Sequence, residues 1–281
     1  MTDIESVDRV RAEAPGHLTA FFSVHHDEDP RRSGSRGAGI AVADGVSVTV
    51  QPVDGVTLND GPADIEAVDR VLQTFEVPLQ ASVETELPIG MGCGVSGAAA
   101  LATALAADEA TGAGISRDEL ITRAHVADVT AGTGLGDVVA QAVGGATIRV
   151  EPGAPPFGEL RRLPAEGRVE YLPLGQISTT EVLAGDTDQL TRDGEAILAE
   201  LLEEPSLERL IDLGHQFAEQ IDVIDAELDT VLTAIDASGG RACIGLLGRT
   251  VVAPGDALTR AGYDPVVTRI EPRGAAVVDH D

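Results

Sequence analysis

The chain has 281 residues, 43% of them hydrophobic, with 47 acidic side chains against 19 basic ones and a formal net charge of −28. All 19 basic residues are arginine, no lysine occurs, and aromatics make up only 2%. Such a surface repels nucleic acid and anionic membranes, so neither is expected as a partner. The missing lysine excludes a GxxxxGK[ST] phosphate loop, a Schiff-base enzyme and the protein-kinase fold. No apolar run approaches the ~20 residues of a membrane span. The opening MTDIESVDRV lacks the basic start and apolar middle of a signal peptide. A cytoplasmic protein is the expectation. Cys93 and Cys243 offer neither a disulfide framework nor a zinc spacing. The acid excess suits work at high salt, where a Debye length of ~3 Å at 1 M screens self-repulsion.

In chain order, the pattern predicts a strand from Val7 to Ala12, broken at Ala14-Pro15-Gly16-His17-Leu18-Thr19. Valine-rich alternation over Ile40–Val50 and Val53–Leu58 predicts a hairpin. Ile65, Val68, Val71, Leu72 and Phe75 lie on one helical face, and Leu79–Leu87 reads as a strand. An Ala/Leu-rich helix then runs to Ala110, and Ser116 caps another, to about Val129. A second glycine loop, Gly132 to Asp137, opens a short helix ending near Gly144-Gly145, followed by a strand at Ala146–Val150. The Pro/Gly cluster at Glu151–Pro156 marks a domain boundary, giving segments 1–152 and 153–281. Beyond it come a strand at Arg168–Leu174, helices at 188–202, 207–221 and 226–235, and strands at 242–247 and 250–252. A short helix at 256–261 and strands at 266–270 and 275–278 close the chain. Strands and helices mix without strict alternation, so the class is α+β.

Pro88 to Ala107 reads as strand, glycine loop, helix, with Gly90, Gly92, Gly94 and Gly97 in the loop. Glycines let backbone approach a ligand closely, and unpaired amides at a helix start attract anions, phosphate above all. The bland alternative is a tight turn into a buried helix. Gly92-Cys93-Gly94-Val95-Ser96-Gly97 also satisfies GxGxxG, which would make the chain an NAD-dependent dehydrogenase. That reading ranks second, because Pro88 ends the strand four residues before Gly92.

The fuller pattern, Pro88-x-x-x-Gly92-x-Gly94-x-Ser96-x-Ala98-Ala99, resembles PxxxGLGSSAA, the phosphate loop of the GHMP small-molecule kinases. Ala14-Pro15-Gly16-His17 is similar to that superfamily's N-terminal substrate motif. Gly134-Leu135-Gly136-Asp137 resembles the segment with its catalytic aspartate, and Ser238-Gly239-Gly240-Arg241 stands in the place of its C-terminal glycine motif. Taken together, APGHLTAFF, GSRGAG, GMGCGVSGAAA and TGLGDV resemble archaeal pantoate kinases. The homoserine and mevalonate types share the loop.

The resemblance implies an N-terminal α/β domain with a left-handed βαβ crossover, a ferredoxin-like C-terminal domain, and ATP between them. It implies transfer of phosphate to pantoate, giving 4-phosphopantoate for coenzyme A synthesis, and is compatible with a homodimer. By the same resemblance Gly90, Gly92, Gly94, Ser96 and Gly97 hold the ATP phosphates, and Ser96 and Asp128 hold Mg²⁺. Asp137 acts on the acceptor hydroxyl as base or electrostatic anchor, and His17, Thr19 and Arg36 line the substrate pocket. Two departures stand out: Val95 replaces the first serine of the pair, and His17 sits where several relatives carry Lys or Arg, with Arg36 the alternative cation.

Overall fold

The computed structural model describes residues 9–53, 55–176 and 187–280. Two long strands, β1 (Val10–His25) and β2 (Gly34–Gln51), are followed by β3 (Gly55–Leu58), β4 (Gly61–Pro62), α1 (Glu66–Leu72) and β5 (Gln80–Thr85). Helices α2 (Val95–Thr111), α3 (Arg117–Thr130) and α4 (Asp137–Val143) lead to β6 (Ala146–Glu151), β7 (Glu159–Leu163) and β8 (Arg168–Gln176). Then come α5 (Asp188–Glu203), α6 (Leu207–Gln220), α7 (Ala226–Ala237), β9 (Cys243–Gly245) and β10 (Gly248–Pro254). Helix α8 (Ala257–Arg260) and strands β11 (Val266–Arg269) and β12 (Ala276–His280) complete the described chain.

The first sheet has the order β12-β1-β2-β5-β3-β4, with β6 on the other half of β2 and β7 beside β6. Its pairs are antiparallel except β3–β5, a parallel pair joined through α1, which is the βαβ unit of this domain. The second sheet has the order β11-β8-β10-β9, all antiparallel. Numbered from its own first strand this is 4-1-3-2, with helices after strands one and three, a ferredoxin-like βαββαβ arrangement. The α+β expectation holds. Two strands beyond residue 152, β7 and β12, belong to the first sheet rather than to the second.

Two local expectations need correction. The predicted hairpin over 40–58 does not form, because β3 pairs with β5 and leaves β2 to β1, β5 and β6. The predicted break at Ala14–Thr19 is instead the middle of β1, which keeps its pairing with β2 through two register shifts, at Pro15/Gly16 and Thr19/Phe21. Bulges absorb Pro15 without ending the strand, and they re-aim side chains next to functional sites. Of the strand predicted from Val7, residues 7 and 8 lie outside the described residues.

Helix α2 is apolar on nearly every side, and Gly97 to Ala107 are buried without interruption. A helix hydrophobic all round belongs in a core. Its alanines let it lie close to β1 and β2 with α1, α3 and α4 around it. The second unit is tied on through Phe217 of α6, which meets Phe21 and Phe22 edge-on at 6.3 and 6.2 Å. A Cβ at Gly194 of α5 would collide with the Phe22 carbonyl, so that helix sits directly on β1.

Arginines are spent largely on neighbouring acids, such as Arg70–Glu66 at 2.6 Å and Arg123–Glu119 at 3.0 Å. Exposed pairs of this kind contribute only about 0–1 kcal/mol each, so they do not offset a net charge of −28. The melting temperature should therefore rise steeply from low salt to about 1 M, as screening relieves the repulsion. Thermal melts across a KCl series test this, and a flat series would remove the high-salt reading.

Candidate active site

A cleft of about 730 Å³ runs between the glycine loop, the second glycine loop and the turn from β9 to β10. The free edge of β1 forms its spine. Strand β12 covers that edge only as far as Glu13. Beyond it, the His17 amide donates to the Cys93 carbonyl at 3.0 Å, and the Thr19 carbonyl accepts from the Leu246 amide at 2.8 Å. One strand thus holds the phosphate loop and the C-terminal sheet in a fixed relation.

The loop expected to bind phosphate has the backbone that role requires. Gly90, Gly92 and Gly94 have φ of 74, 82 and 65°, the left-handed region where a side chain is strained. Gly94 is the N-cap of α2, and among the described residues no side chain caps the helix, which leaves its first amides open to a ligand. The C-terminal sheet clamps the loop from outside. Thr250 Oγ1 donates to the Met91 carbonyl at 2.6 Å, and Gln176 Nε2 donates to the Ile89 carbonyl at 2.8 Å. The glycine that closes against this loop is Gly248, whose Cβ would collide with the Met91 carbonyl. Ser238-Gly239-Gly240-Arg241, read from sequence as the C-terminal glycine motif, lies elsewhere: Gly240 packs on Ile235 and Ala257, and Arg241 pairs with Asp212.

Asp137 opens α4 and keeps 24% of its side chain exposed, facing the cleft. His17 Nδ1 lies 2.7 Å from its Oδ1, and Thr19 Oγ1 donates to the same oxygen at 3.3 Å. Burial lowers the His17 pKa, so the ring is neutral and Nδ1–H is the donor to the carboxylate. Burial alone would raise the Asp137 carboxyl. The His17 bond, the Arg149 guanidinium and Thr19 together outweigh it and hold the group below its ordinary value. His17 is thus a buried support beneath Asp137 and is absent from the cleft wall.

Arg149 of β6 is the cation of this site, and sequence reasoning missed it. It is 2% exposed, its Nε donates to Ser35 Oγ at 3.2 Å, and its Nη1 is buried with no partner among the described residues. Arg36, the expected cation, does not line the cleft: its Nε donates to the Val150 carbonyl and its Nη1 to Glu195. Alternation along β2 decides this, since Ser35 points into the cleft and its neighbour points away. The glycines of TGLGD make room for side chains. A Cβ at Gly134 would collide with Asp128, and one at Gly136 would lie 2.6 Å from Ser35 Oγ and 2.7 Å from Arg149 Nε.

Asp128 lies on α3, 1% exposed, and accepts from Thr133 Oγ1 at 2.7 Å, with the Ser96 hydroxyl near enough to favour its ionised form. Burial pushes its carboxyl up to about 6, and the Asp137 charge adds to that. Ser96 and Asp128, expected together as metal ligands, lie near one another at the start of α2 and on α3. Burial pushes both cysteine thiols up to about 12, so neither is a thiolate nucleophile. The dinucleotide reading loses its frame, because the first sheet has one parallel pair and no doubly wound parallel order.

Residues 65–145 match the family model of the GHMP kinases N terminal domain. A pantoate kinase of Thermococcus kodakarensis is 36% identical over 244 residues, covering 81% of each chain. One of Methanocaldococcus jannaschii is 30% identical, covering 85% of this chain and 90% of that one. A solved phosphotransferase related to the CoA biosynthesis pathway superposes with a TM-score of 0.87 at 28% identity, over 96% of this chain and 98% of its own. A homoserine kinase structure from Cytophaga hutchinsonii, at 17% identity and a TM-score of 0.71 over 99% of each chain, shares the fold. The chain therefore belongs to the GHMP kinase superfamily, within the family of the pantoate kinases.

Proposed function

We propose that this protein transfers the terminal phosphoryl group of ATP to pantoate, forming 4-phosphopantoate on the way to coenzyme A. The observation that carries the reading is the presence of two opposite charges in one cleft: Asp137, half-buried and held ionised, and buried Arg149, whose Nη1 has no partner among the described residues. A hydroxy acid meets both needs, its carboxylate on the guanidinium and its hydroxyl on the aspartate. The names and extents of the relatives support the same acceptor.

The amides of the Gly90–Gly97 loop cradle the triphosphate at the start of α2. Ser96 and Asp128 would hold Mg²⁺, and a buried carboxyl whose pKa is pushed up to about 6 by burial is a group that a cation would ionise. When bound, the ion offsets charge on the β- and γ-phosphate oxygens. Asp137 accepts a hydrogen bond from the acceptor hydroxyl and aligns its oxygen with the γ-phosphorus. Its low pKa makes it an anchor first, taking the proton only as the new P–O bond forms and the bond to ADP breaks. His17 and Thr19 fix its rotamer, and Arg149 places the far end of the acceptor.

The site is built for ATP and one small acid, in the cytoplasm where both occur. Assembly as a homodimer is a separate proposal, which sedimentation velocity would test. ADP release with ATP, Mg²⁺ and equal concentrations of pantoate, homoserine or mevalonate tests the reading. Pantoate should dominate. A preference for either rival would overturn the acceptor, and stabilisation by NAD in place of ATP would overturn the reaction class.

A further inference from the structure

The cleft has two apolar stretches. One, from Leu58, Ile65, Ala67 and Ile89, flanks the entry to the phosphate loop. The other comes from different elements: Phe22 of β1, Leu135 of the second glycine loop, and Leu246 and Leu247 of the β9–β10 turn. This second stretch lines the cleft beside the polar groups proposed to read the acceptor, and two of its members are tied to them through the backbone. Leu246 donates its amide to the Thr19 carbonyl at 2.8 Å, and Thr19 Oγ1 donates to Asp137 at 3.3 Å. Phe22 and Arg149 both pair with Gly37, so they stand on one cross-strand row with no side chain between them. Leu135 is two residues before Asp137.

We infer that this wall is a selectivity device for an acceptor branched between its hydroxyl and its carboxylate, and that Leu247 and Leu135 are its specificity-determining residues. The inference rests on the pantoate reading. Pantoate carries two methyl groups on the carbon between its primary hydroxyl and its α-carbon, where a molecule spanning Asp137 and Arg149 passes the leucines. An unbranched hydroxy acid satisfies the same two charges and leaves the wall unfilled. The back of the wall is rigid, since Phe22 and Leu246 are 4% and 5% exposed and Phe22 packs on Phe217. Leu247 and Leu135 are half-buried, so trimming them opens the wall without emptying the core.

The test compares pantoate with 2,4-dihydroxybutanoate, which keeps the carboxylate and both hydroxyls and lacks the two methyls. One methylene-sized group in an apolar pocket discriminates by about 10–200-fold. The wild-type protein should therefore prefer pantoate in kcat/KM by at least ~100-fold. Leu247→Ala and Leu135→Ala should each cut that ratio by roughly tenfold. The loss should fall on pantoate alone, with the unbranched acceptor and the KM for ATP unchanged. Leu247→Met should recover most of the ratio, which a general loss of structure would not allow. A wild-type ratio near one, or variants that slow both acceptors by the same factor, would overturn the inference while leaving the kinase reading intact. Transfer to neither acceptor by the wild-type protein would overturn both.

Discussion

Asp137→Asn should lower kcat by about 10²–10⁴-fold, the range that general-base assistance contributes, and should leave ATP affinity close to wild type. The amide has the shape of the carboxylate and still accepts from His17 Nδ1, which lies 2.7 Å away in the wild-type protein. It can neither carry the charge that aligns the acceptor hydroxyl nor take its proton. In the proposed arrangement the triphosphate rests on backbone amides of a different element, the start of α2, so its binding would not pass through Asp137. Some thermal stability should also go, because the Arg149 guanidinium loses a neighbouring negative charge while remaining buried. Steady-state kinetics, ATP titration and a melt separate these effects. Near-normal turnover would refute the role given to Asp137. Loss of ATP binding together with activity would move it to the metal site.

Arg149→Met is expected to reduce kcat/KM for pantoate by about 10²–10³-fold, comparable to removing one pre-placed charged donor from an active site. Methionine fills much of the same volume, so the packing between β2 and β6 should survive. What disappears is a planar cation already stripped of water, with Nη1 awaiting a partner. Arg149→Lys should recover only part of the loss, since an ammonium cannot form the two parallel bonds a carboxylate takes from a guanidinium. The KM for ATP should not move. If it rises in step with that for pantoate, Arg149 serves the phosphates and the acceptor must be held elsewhere.

The glycine loop before α2 and the place of Asp137 at a helix start were legible in the sequence because both are local patterns, whereas the roles proposed for them came from the resemblance. That Ser96 and Asp128 would lie near one another was expected only through the resemblance, as nothing in their 32-residue separation announces it. Arg149 was hidden for a physical reason. It sits in the strand ATIRVE, which reads as an ordinary core strand, and its meeting with Asp137 depends on β6 pairing with β2. The available signal was a lone arginine between Ile148 and Val150, a charge that burial tolerates only with partners. His17 was placed in the right neighbourhood with the wrong orientation. The bulges in β1 decide which side chains face the cleft, and a two-residue alternation cannot register them. For the same reason APGH read as a break, while the structure makes it strand. The 4-1-3-2 order of the second sheet and the return of β12 to the first are long-range pairings, beyond the reach of local propensity.

The most direct test of the whole reading is the position of the new phosphoester. The wild-type protein, in molar KCl with Mg-ATP and pantoate, is run to completion and the product examined by phosphorus and carbon NMR. With the acceptor carboxylate on Arg149 and its far hydroxyl on Asp137, the phosphate must appear on the primary hydroxyl alone, one ester for each ADP formed. A phosphate on the secondary hydroxyl would mean the acceptor lies the other way round. ADP formed without any phosphopantoate would contradict the proposed function outright.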